Sequence, residues 1–557
     1  MIPVPLSESG LVTESVSSDA AVITFVVDGE AVSVPDTGIS LLAALRGRLG
    51  NRAPKAGCNP QGQCGCCTVL VDGAPRVACV TPVRRIAGRV ITTVDGISDE
   101  ERERWSDALL ATGGSQCGFC TPGIVCRLEG LRAKGTSADD HAAVDRALAA
   151  HVCRCTGWQT IHEAWSLMAS GSAVIEHERG AGRDIVAASQ RASIEGRSPQ
   201  VVSAEVVLGR GGFAEDTAPA DALVAVPDGA GGWVVAASLP EARALAGKVQ
   251  GRHGTTTPEP PIALPDGEWE LTLRTSWVEP AYLETDSSWC EPGGEPFTSL
   301  ANGGAFGGKN TTEVGRVARE LADAHGRAVR VVLSREDVVR TGPKRPPLAA
   351  GLRSDGSGII RVARTEGIVA AINRVAPQVI VEEVDVVGPP TSADLRSAGI
   401  AEAQVLLSVL DGRNGNDGGE PGVHCATVSS DEGATATVAI GQDGVVRVDL
   451  ACGRILDRTV LRSYVIGAVH MALGWVTSEG LSVDADGSIS DLTMRSFGVL
   501  RAAEMPHVEV TLHEQESEPV NGSDAVFAAT AAAIWMAQGC PTDWPTGRAP
   551  RVAHVTQ

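Results

Sequence analysis

Eight cysteines before residue 156 constrain this chain more than anything else in it. Cys58, Cys64, Cys67 and Cys79 form one group, and Cys117, Cys120, Cys153 and Cys155 form another. Each group offers four thiolates at close spacing, which is the ligand set of a [2Fe–2S] cluster. A chain that wraps two such clusters must commit its loops to them, and its first capacity is to move single electrons.

The rest of the composition sets outer bounds. At 557 residues the chain is too long for one ordinary domain, and three or more are expected. A hydrophobic share of 43% with 21% charged residues is that of a globular protein. The net charge of −21 excludes nucleic-acid or anionic-membrane binding, which need a basic face. The segment Met1–Ser9 has neither a basic stretch leading into an apolar core nor a twin arginine. No apolar run reaches the roughly 18 residues that span a bilayer. The nearest, Ala525–Gln538, is Ala-rich and reads as a buried helix. A cytoplasmic setting is therefore expected, where closely spaced cysteines act as metal ligands or redox groups rather than disulfides.

Four regions follow along the chain. Residues 20–97 carry two hairpin patterns, 21–34 turning at Asp28-Gly29 and 67–80 turning at Asp72-Gly73, with a helix at 39–49 and a cysteine loop between them. This predicts a small α+β ferredoxin-type domain. Residues 98–170 lack alternation and predict helices over 99–112, 121–134, 139–152 and 158–169, a bundle around the second cysteine group. Residues 171–200 are polar and weakly periodic and read as a linker. Residues 201–557 mix short strands, helices and Asp-Gly turns and predict a large α/β region.

The two cysteine loops have different local chemistry. In the first, Gly57, Gly62 and Gly65 permit the positive φ and close approach that wrapping a cluster requires, and Cys79 arrives from the next hairpin. Cys66 is not expected to be a ligand, because adjacent cysteines rarely reach one cluster together. A structural zinc knot is the competing reading. In the second, Thr121-Pro122 predicts a helix start just after Cys120. Cys153 and Cys155 stand two apart and cannot share a helix face, so they belong in a turn.

These motifs resemble the iron–sulfur portion of the xanthine dehydrogenase/aldehyde oxidase family, the molybdenum hydroxylases. The resemblance rests on Cys64-Gly-Cys66-Cys67-Thr68, Gln116-Cys117-Gly-Phe-Cys120-Thr-Pro-Gly and Cys153-Arg-Cys155-Thr-Gly. It implies a plant-type ferredoxin domain of β-grasp fold, then the family's helical [2Fe–2S] domain, whose cluster lies nearer the molybdenum. It also implies that Gln116 contacts the molybdopterin cofactor. The first loop departs from the family pattern, with five residues rather than four between Cys58 and Cys64. In the C-terminal region, GGAFGGK at 303–309 resembles the family's molybdopterin-contacting loop, which makes Gly303, Gly304, Phe306, Gly307 and Gly308 candidate cofactor contacts. Arg396 falls in a worn form of the family's LRGFG and is the candidate substrate-orienting arginine.

Against the family, residues 201–557 are a shortened molybdopterin-binding-domain-like region, and no flavin domain fits between them and residue 170. The family's catalytic base is a glutamate that takes a proton from a molybdenum-bound hydroxyl. Aligning the Ala-rich helix places Gly522 there, and a glycine accepts no proton. Aligning Glu518-Pro519 makes Glu518 the base at the cost of extra residues. The resulting expectation is an iron–sulfur electron-transfer subunit of a molybdenum hydroxylase-type complex. Its molybdopterin would sit on a partner, a full-length molybdopterin-binding subunit, and a flavin subunit is a further candidate partner and electron acceptor. Two alternatives stay open: a self-contained molybdenum hydroxylase of N-heterocycles or aldehydes using Glu518, and a non-enzymatic redox sensor or assembly scaffold.

Overall fold

The computed structural model describes residues 21–58, 60–171, 183–247, 249, 251–254, 257–297, 304–413 and 422–548. Strands and helices are numbered in chain order. Near the N-terminus β1 (Val22–Val27), β2 (Glu30–Pro35), β3 (Thr68–Val71), β4 (Ala74–Val77) and β5 (Val90–Thr92) form one sheet in the order β2-β1-β5-β3-β4. Both hairpins turn where the sequence predicts. Asp28 and Gly29 have φ of 50° and 91°, Asp72 and Gly73 of 49° and 75°, the paired positive values of a two-residue hairpin turn. The sheet packs Phe25, Val69 and Ile91 against Leu41 and Leu45 of the short helical stretch that follows β2.

Four helices come next: α1 (Asp99–Thr112), α2 (Thr121–Arg132), α3 (His141–Leu148) and α4 (Gln159–Ser170). All four lie where the missing strand alternation places them. Ser98 caps α1, with Asp99, Glu100 and Glu101 in the first turn complementing the helix dipole. The cap of α2 is Cys120, not Thr121, whose hydroxyl meets Ser115 Oγ at 3.0 Å instead. Trp105, Trp158 and Trp165 fill the centre of the bundle.

Residues 183–200 differ from the expected linker. Ile185–Gly196 form helix α5, and its inner face is fully enclosed. That face carries Ala188 and Ala192 beside the buried Arg191–Glu195 ion pair, 2.8 Å apart. Small residues and a charge pair leave no apolar stripe for periodicity to detect.

The C-terminal region contains three further sheets. One runs β7 (Trp233–Ala236), β6 (Leu223–Pro227), β10 (Val329–Val332), β9 (Ser287–Cys290), with α6 (Val314–His325) against it. A second runs β13 (Val379–Val384), β12 (Gly358–Ala363), β11 (Leu348–Leu352), β8 (Leu271–Thr275), β18 (Asp543–Trp544). The third is β14 (His424–Ser429), β15 (Thr435–Ile440), β16 (Val446–Ala451), β17 (Val508–His513). The helices α7 (Arg335–Thr341), α8 (Ile400–Asp411), α9 (Arg458–Thr477) and α10 (Ser523–Ala537) complete the set used below. By length and composition α9 could cross a bilayer, yet 89% of its most apolar window is buried inside the protein, as a core helix is. The Ala-rich α10 is likewise a buried helix, and Val526, Ala528, Ala529, Ala532 and Trp535 share its core with α9.

Arg191 also donates to Val520 O at 2.9 Å and Arg454 O at 3.0 Å, so α5 is tied to the C-terminal core. Breaking a buried ion pair strands a charge. Arg191→Met is therefore expected to cost about 3–5 kcal/mol, read from the midpoint of denaturant unfolding.

Candidate redox and cofactor site

The first cysteine loop is built as its glycines predict. Gly62 and Gly65 have φ of 72° and 74°, and a Cβ on Gly65 would overlap the His151 ring. The backbone supplies N–H donors to sulfur: Cys58 N–H to Cys64 Sγ at 3.3 Å, Gln63 N–H to Cys58 Sγ at 3.4 Å and Cys79 N–H to Cys67 Sγ at 3.4 Å. Cys58, Cys64, Cys67 and Cys79 are all buried together. Hydrogen bonds from Cys64 and then Cys79 hold the Cys58 thiol well below its usual pKa.

The second group forms between the start of α2 and the turn before α4. Cys117 Sγ and Cys155 Sγ lie 3.6 Å apart, and Cys153 Sγ is 3.1 Å from Thr156 Oγ1. A hydrogen bond from Cys120 lowers the Cys153 pKa to about 6. In the second group the sulfurs associate in twos, Cys117 with Cys155 and Cys120 with Cys153, whereas in the first Cys58 meets both Cys64 and Cys79, and Cys79 also meets Cys67. Among the described residues no three His, Cys, Asp or Glu side chains converge as a single-ion shell does. A zinc knot needs four ligands around one point, whereas two bridged irons take two thiolates each. The donor set of four cysteines in each group fits the two-iron group.

The loops touch each other directly. Val152 N–H donates to Cys64 O at 3.0 Å, joining the residue before Cys153 to the first group. Gly123, in the first turn of α2, lies so close to the Gly65 and Cys66 carbonyls that a Cβ would overlap them. Cys66 itself is fully buried beside Cys64.

The glycine loop stands against the second group. A Cβ on Gly304 would sit 2.7 Å from Cys155 Sγ. Phe306 has φ of 50°, Gly307 backs onto the Asp394 carbonyl, and Gly308 onto Pro280 and Tyr282. Gly303 lies outside the described residues. Lys309, which closes the motif, is buried with Glu284 at 2.7 Å. Burial raises the Glu284 pKa to about 7 against the pull of Lys309. Gln116, expected to meet the pterin, spends its amide within the chain, donating to Cys155 O at 3.0 Å and to Ser463 Oγ of α9 at 2.9 Å.

Little space remains between these groups. A void of about 30 Å³ lies among Arg154, Phe306, Arg396, Met471 and Trp475, and one of about 10 Å³ among Gln116, Cys117, Cys155 and Gly304. A third, of about 80 Å³, is lined by Glu195, Lys309, Asp394, Arg396 and Asp524. Ligand pockets run to about 300–1,000 Å³. The volume is taken by paired charges: Arg396 on Asp524 at 3.0 Å, Arg345 on Glu402 at 2.6 Å, and Arg154 bidentate on Glu479. Among the described residues this face as packed opens no void of molybdopterin size. A roomier groove of about 700 Å³, lined by Asp228, His253, Arg340 and Ser488, contains none of the residues expected to hold the cofactor.

The two candidate catalytic residues separate. Arg396 does line the central void, stacked 5.3 Å from Phe306 and 5.2 Å from Phe527. The Glu518 side chain is 85% exposed and bonds Arg454 at 2.9 Å. Gly522 caps α10, and its N–H and that of Ser523 donate to the Glu195 carboxylate at 3.2 and 2.8 Å. Sequence reasoning missed Glu195, because α5 reads as a linker. It also leaves Arg154, Glu479 and Arg335 without a role, although Arg154 stands inside the second cysteine motif.

Residues 93–166 match the protein-family model of the [2Fe-2S] binding domain, and residues 412–506 that of the molybdopterin cofactor-binding domain. This chain thus carries a domain of the molybdopterin-binding type itself. Over 129 residues it is 37% identical to a probable xanthine dehydrogenase subunit of Bacillus subtilis, covering 23% of this chain and 72% of that one. Over 140 residues it is 33% identical to the "Nicotinate dehydrogenase small FeS subunit" of Eubacterium barkeri, covering 25% and 88%. Against the aldehyde oxidoreductase of Megalodesulfovibrio gigas the match is 38% over 143 residues, 25% of this chain and only 15% of the relative. In fold, the chain is similar to the aldehyde oxidoreductase structure from Desulfovibrio gigas, with a TM-score of 0.65 at 14% identity over 92% of this chain and 97% of that one.

Gly304→Ala strains a φ of 55° and crowds Cys155 Sγ. With one cluster on each cysteine group, as the sequence leads one to expect, it should remove about half of the bound iron, measured by iron assay with visible absorption.

Proposed function

This chain belongs to the molybdenum hydroxylase family of oxidoreductases, and on that footing we propose that it is the electron-transfer subunit of a larger complex. In this reading residues 20–97 are the plant-type ferredoxin domain, with Cys58, Cys64, Cys67 and Cys79 as cluster ligands. Residues 98–170 are the helical domain, with Cys117, Cys120, Cys153 and Cys155 as ligands. A [2Fe–2S] cluster, when held, takes up and returns one electron at a time. The protein's part is to bury both thiolate sets, to aim backbone N–H groups at sulfur, and to join the two loops through the Val152 to Cys64 hydrogen bond.

The observation that carries the reading is the packing of the face beside Gln116. Arginine–carboxylate pairs occupy the volume a pterin would need, and Arg396 is neutralised by Asp524. Gly522 has no carboxylate of its own, the Glu195 carboxylate beside it is held by Gly522 and Ser523 N–H and by Arg191, and Glu518 points to solvent on Arg454. Residues 201–557 then serve as a scaffold of molybdopterin-domain type, and a full-length molybdopterin-binding partner supplies electrons. A flavin subunit is the acceptor that completes the complex. That two of the relatives are themselves named as dehydrogenase subunits, one of them as a small FeS subunit, supports this assignment.

Metal analysis tests it. The isolated chain is expected to contain about four iron, two per cluster, and no molybdenum. One molybdenum per isolated chain, with hydroxylation of a heteroarene or aldehyde that Glu518→Gln abolishes, would overturn the proposal in favour of a self-contained hydroxylase.

A further inference from the structure

One helix of the C-terminal region grips the turn that carries Cys153 and Cys155. Gly467, in the middle of α9, lies so close to the Cys155 carbonyl that a Cβ would overlap it. A Cβ on Gly157 would likewise stand 2.6 Å from Ile466 O. Ser463 of the same helix accepts from the Gln116 amide at 2.9 Å, and that amide also donates to Cys155 O at 3.0 Å. The backbone of the turn is thus fixed against α9.

The side chain between the two cysteines is held just past the end of the same helix. Arg154 donates through Nη2 to Glu479 Oε2 at 2.7 Å, through Nη1 to Glu479 Oε1, and through Nε to Pro280 O at 3.0 Å. The two side chains are only 3% and 0% exposed, so no solvent stands in for either partner. A planar fork on a carboxylate fixes the direction of the guanidinium as well as its distance. Glu479 is aimed in turn by α9. Its N–H donates to Gly474 O at 2.8 Å, and its carboxylate lies over Gly474, where any Cβ would displace it. Glycine inside a helix weakens it, and here it makes room for the carboxylate.

We propose that Glu479 is a positioning residue for the second cluster. It acts through Arg154, holding the Cys153–Cys155 turn in one geometry and keeping the net charge beside it at zero. The proposal rests on the reading of Cys117, Cys120, Cys153 and Cys155 as ligands of one cluster. Arg154 is joined through the chain to two of these cysteines, with consecutive Cα atoms about 3.8 Å apart. At that range an uncompensated unit charge in the interior changes a neighbouring charge equilibrium by about a factor of ten. Reduction adds one negative charge at the cluster, so an unbalanced Arg154 would favour the reduced state and hold the electron there. Paired with Glu479 it does not, which leaves the electron free to pass to the first cysteine group.

A redox titration of the full holoprotein, followed by EPR, tests this with Glu479→Gln and Gly474→Ala. Cys153→Ser, which removes one ligand, identifies the second cluster's signal. Glu479→Gln is expected to shift the second cluster about tenfold toward reduction, about 59 mV for one electron, and to leave the first midpoint in place. Gly474→Ala keeps both charges but displaces the carboxylate, and is expected to alter the second EPR signal beside an intact first. In Glu479→Gln at full iron content, an unchanged second midpoint or an equal shift of both midpoints overturns the proposal. If Glu479→Gln loses iron, Gly474→Ala decides. There an altered or lost second signal beside an intact first supports the proposal, and an unaltered second signal or equal loss of both overturns it. Failure to find two cluster signals in the unmodified protein would instead sink the cluster reading itself.

Discussion

Arg154 holds the molecule together at the point where its two halves meet. It stands between Cys153 and Cys155, so its backbone belongs to the second cysteine turn. Its guanidinium reaches the C-terminal region, bidentate on Glu479 just past α9, with Nε on Pro280 O at 3.0 Å. Both charged side chains are almost wholly enclosed. Burial pushes the Glu479 pKa up and Arg154 opposes it, so each charge depends on the other. Removing either would leave a naked charge beside the cysteines. The turn geometry that brings Cys153 to Cys120 and Cys155 to Cys117 is thus fixed from outside its own domain. Trp158 strengthens the same seam through its indole N–H on Leu500 O at 3.1 Å.

The same logic explains how the face beside the cysteines can be closed without an apolar core. A site of cofactor-binding type is lined by groups that expect a charged or polar ligand. Filled with hydrocarbon, those groups would be stranded. Here they satisfy each other: Arg396 with Asp524, Arg197 with Asp524 at 2.8 Å, Arg345 with Glu402, Lys309 with Glu284. Arg345 in addition lies 4.4 Å from the Trp475 ring centroid. Such pairs add little net stability over well-packed hydrocarbon, yet they fix one arrangement because any single loss is expensive. A face packed in this way is rigid support for the second cysteine group, which is what a scaffold role requires.

Much of the N-terminal part was legible in the sequence because its signals are local. Asp-Gly turns impose positive φ on two consecutive residues, cysteine spacing imposes a loop, and missing alternation leaves helices. Each can be judged within about ten residues, and 22–35, 68–77 and 99–170 fold accordingly. What stayed illegible depends on partners far away. That the Gln116 amide N–H groups go to Cys155 O and to Ser463, 347 residues on, is not visible from its neighbours in the chain. Nor does the spacing show that Glu518 is exposed and paired with Arg454. In α5, the buried face is two alanines and an ion pair, so its burial follows from its neighbours and not from its own hydrophobicity.

The case of α5 carries a further consequence. The start of α10 is an anion-binding position, with backbone N–H groups unpaired and the positive end of the helix dipole exposed. With glycine at 522, the chain's own residue there brings no carboxylate. Glu195 supplies one from 327 residues earlier, accepting from Gly522 and Ser523 N–H while Arg191 balances its charge. In return Asn521 donates its side-chain amide to Ile194 O and Glu195 O at the end of α5. The two helices cap each other. A carboxylate held by an arginine and two N–H groups serves here as the cap of α10, with its charge balanced where it stands. The segment between the cysteine domains and the C-terminal region therefore works as a part of that region, capping α10 through Glu195.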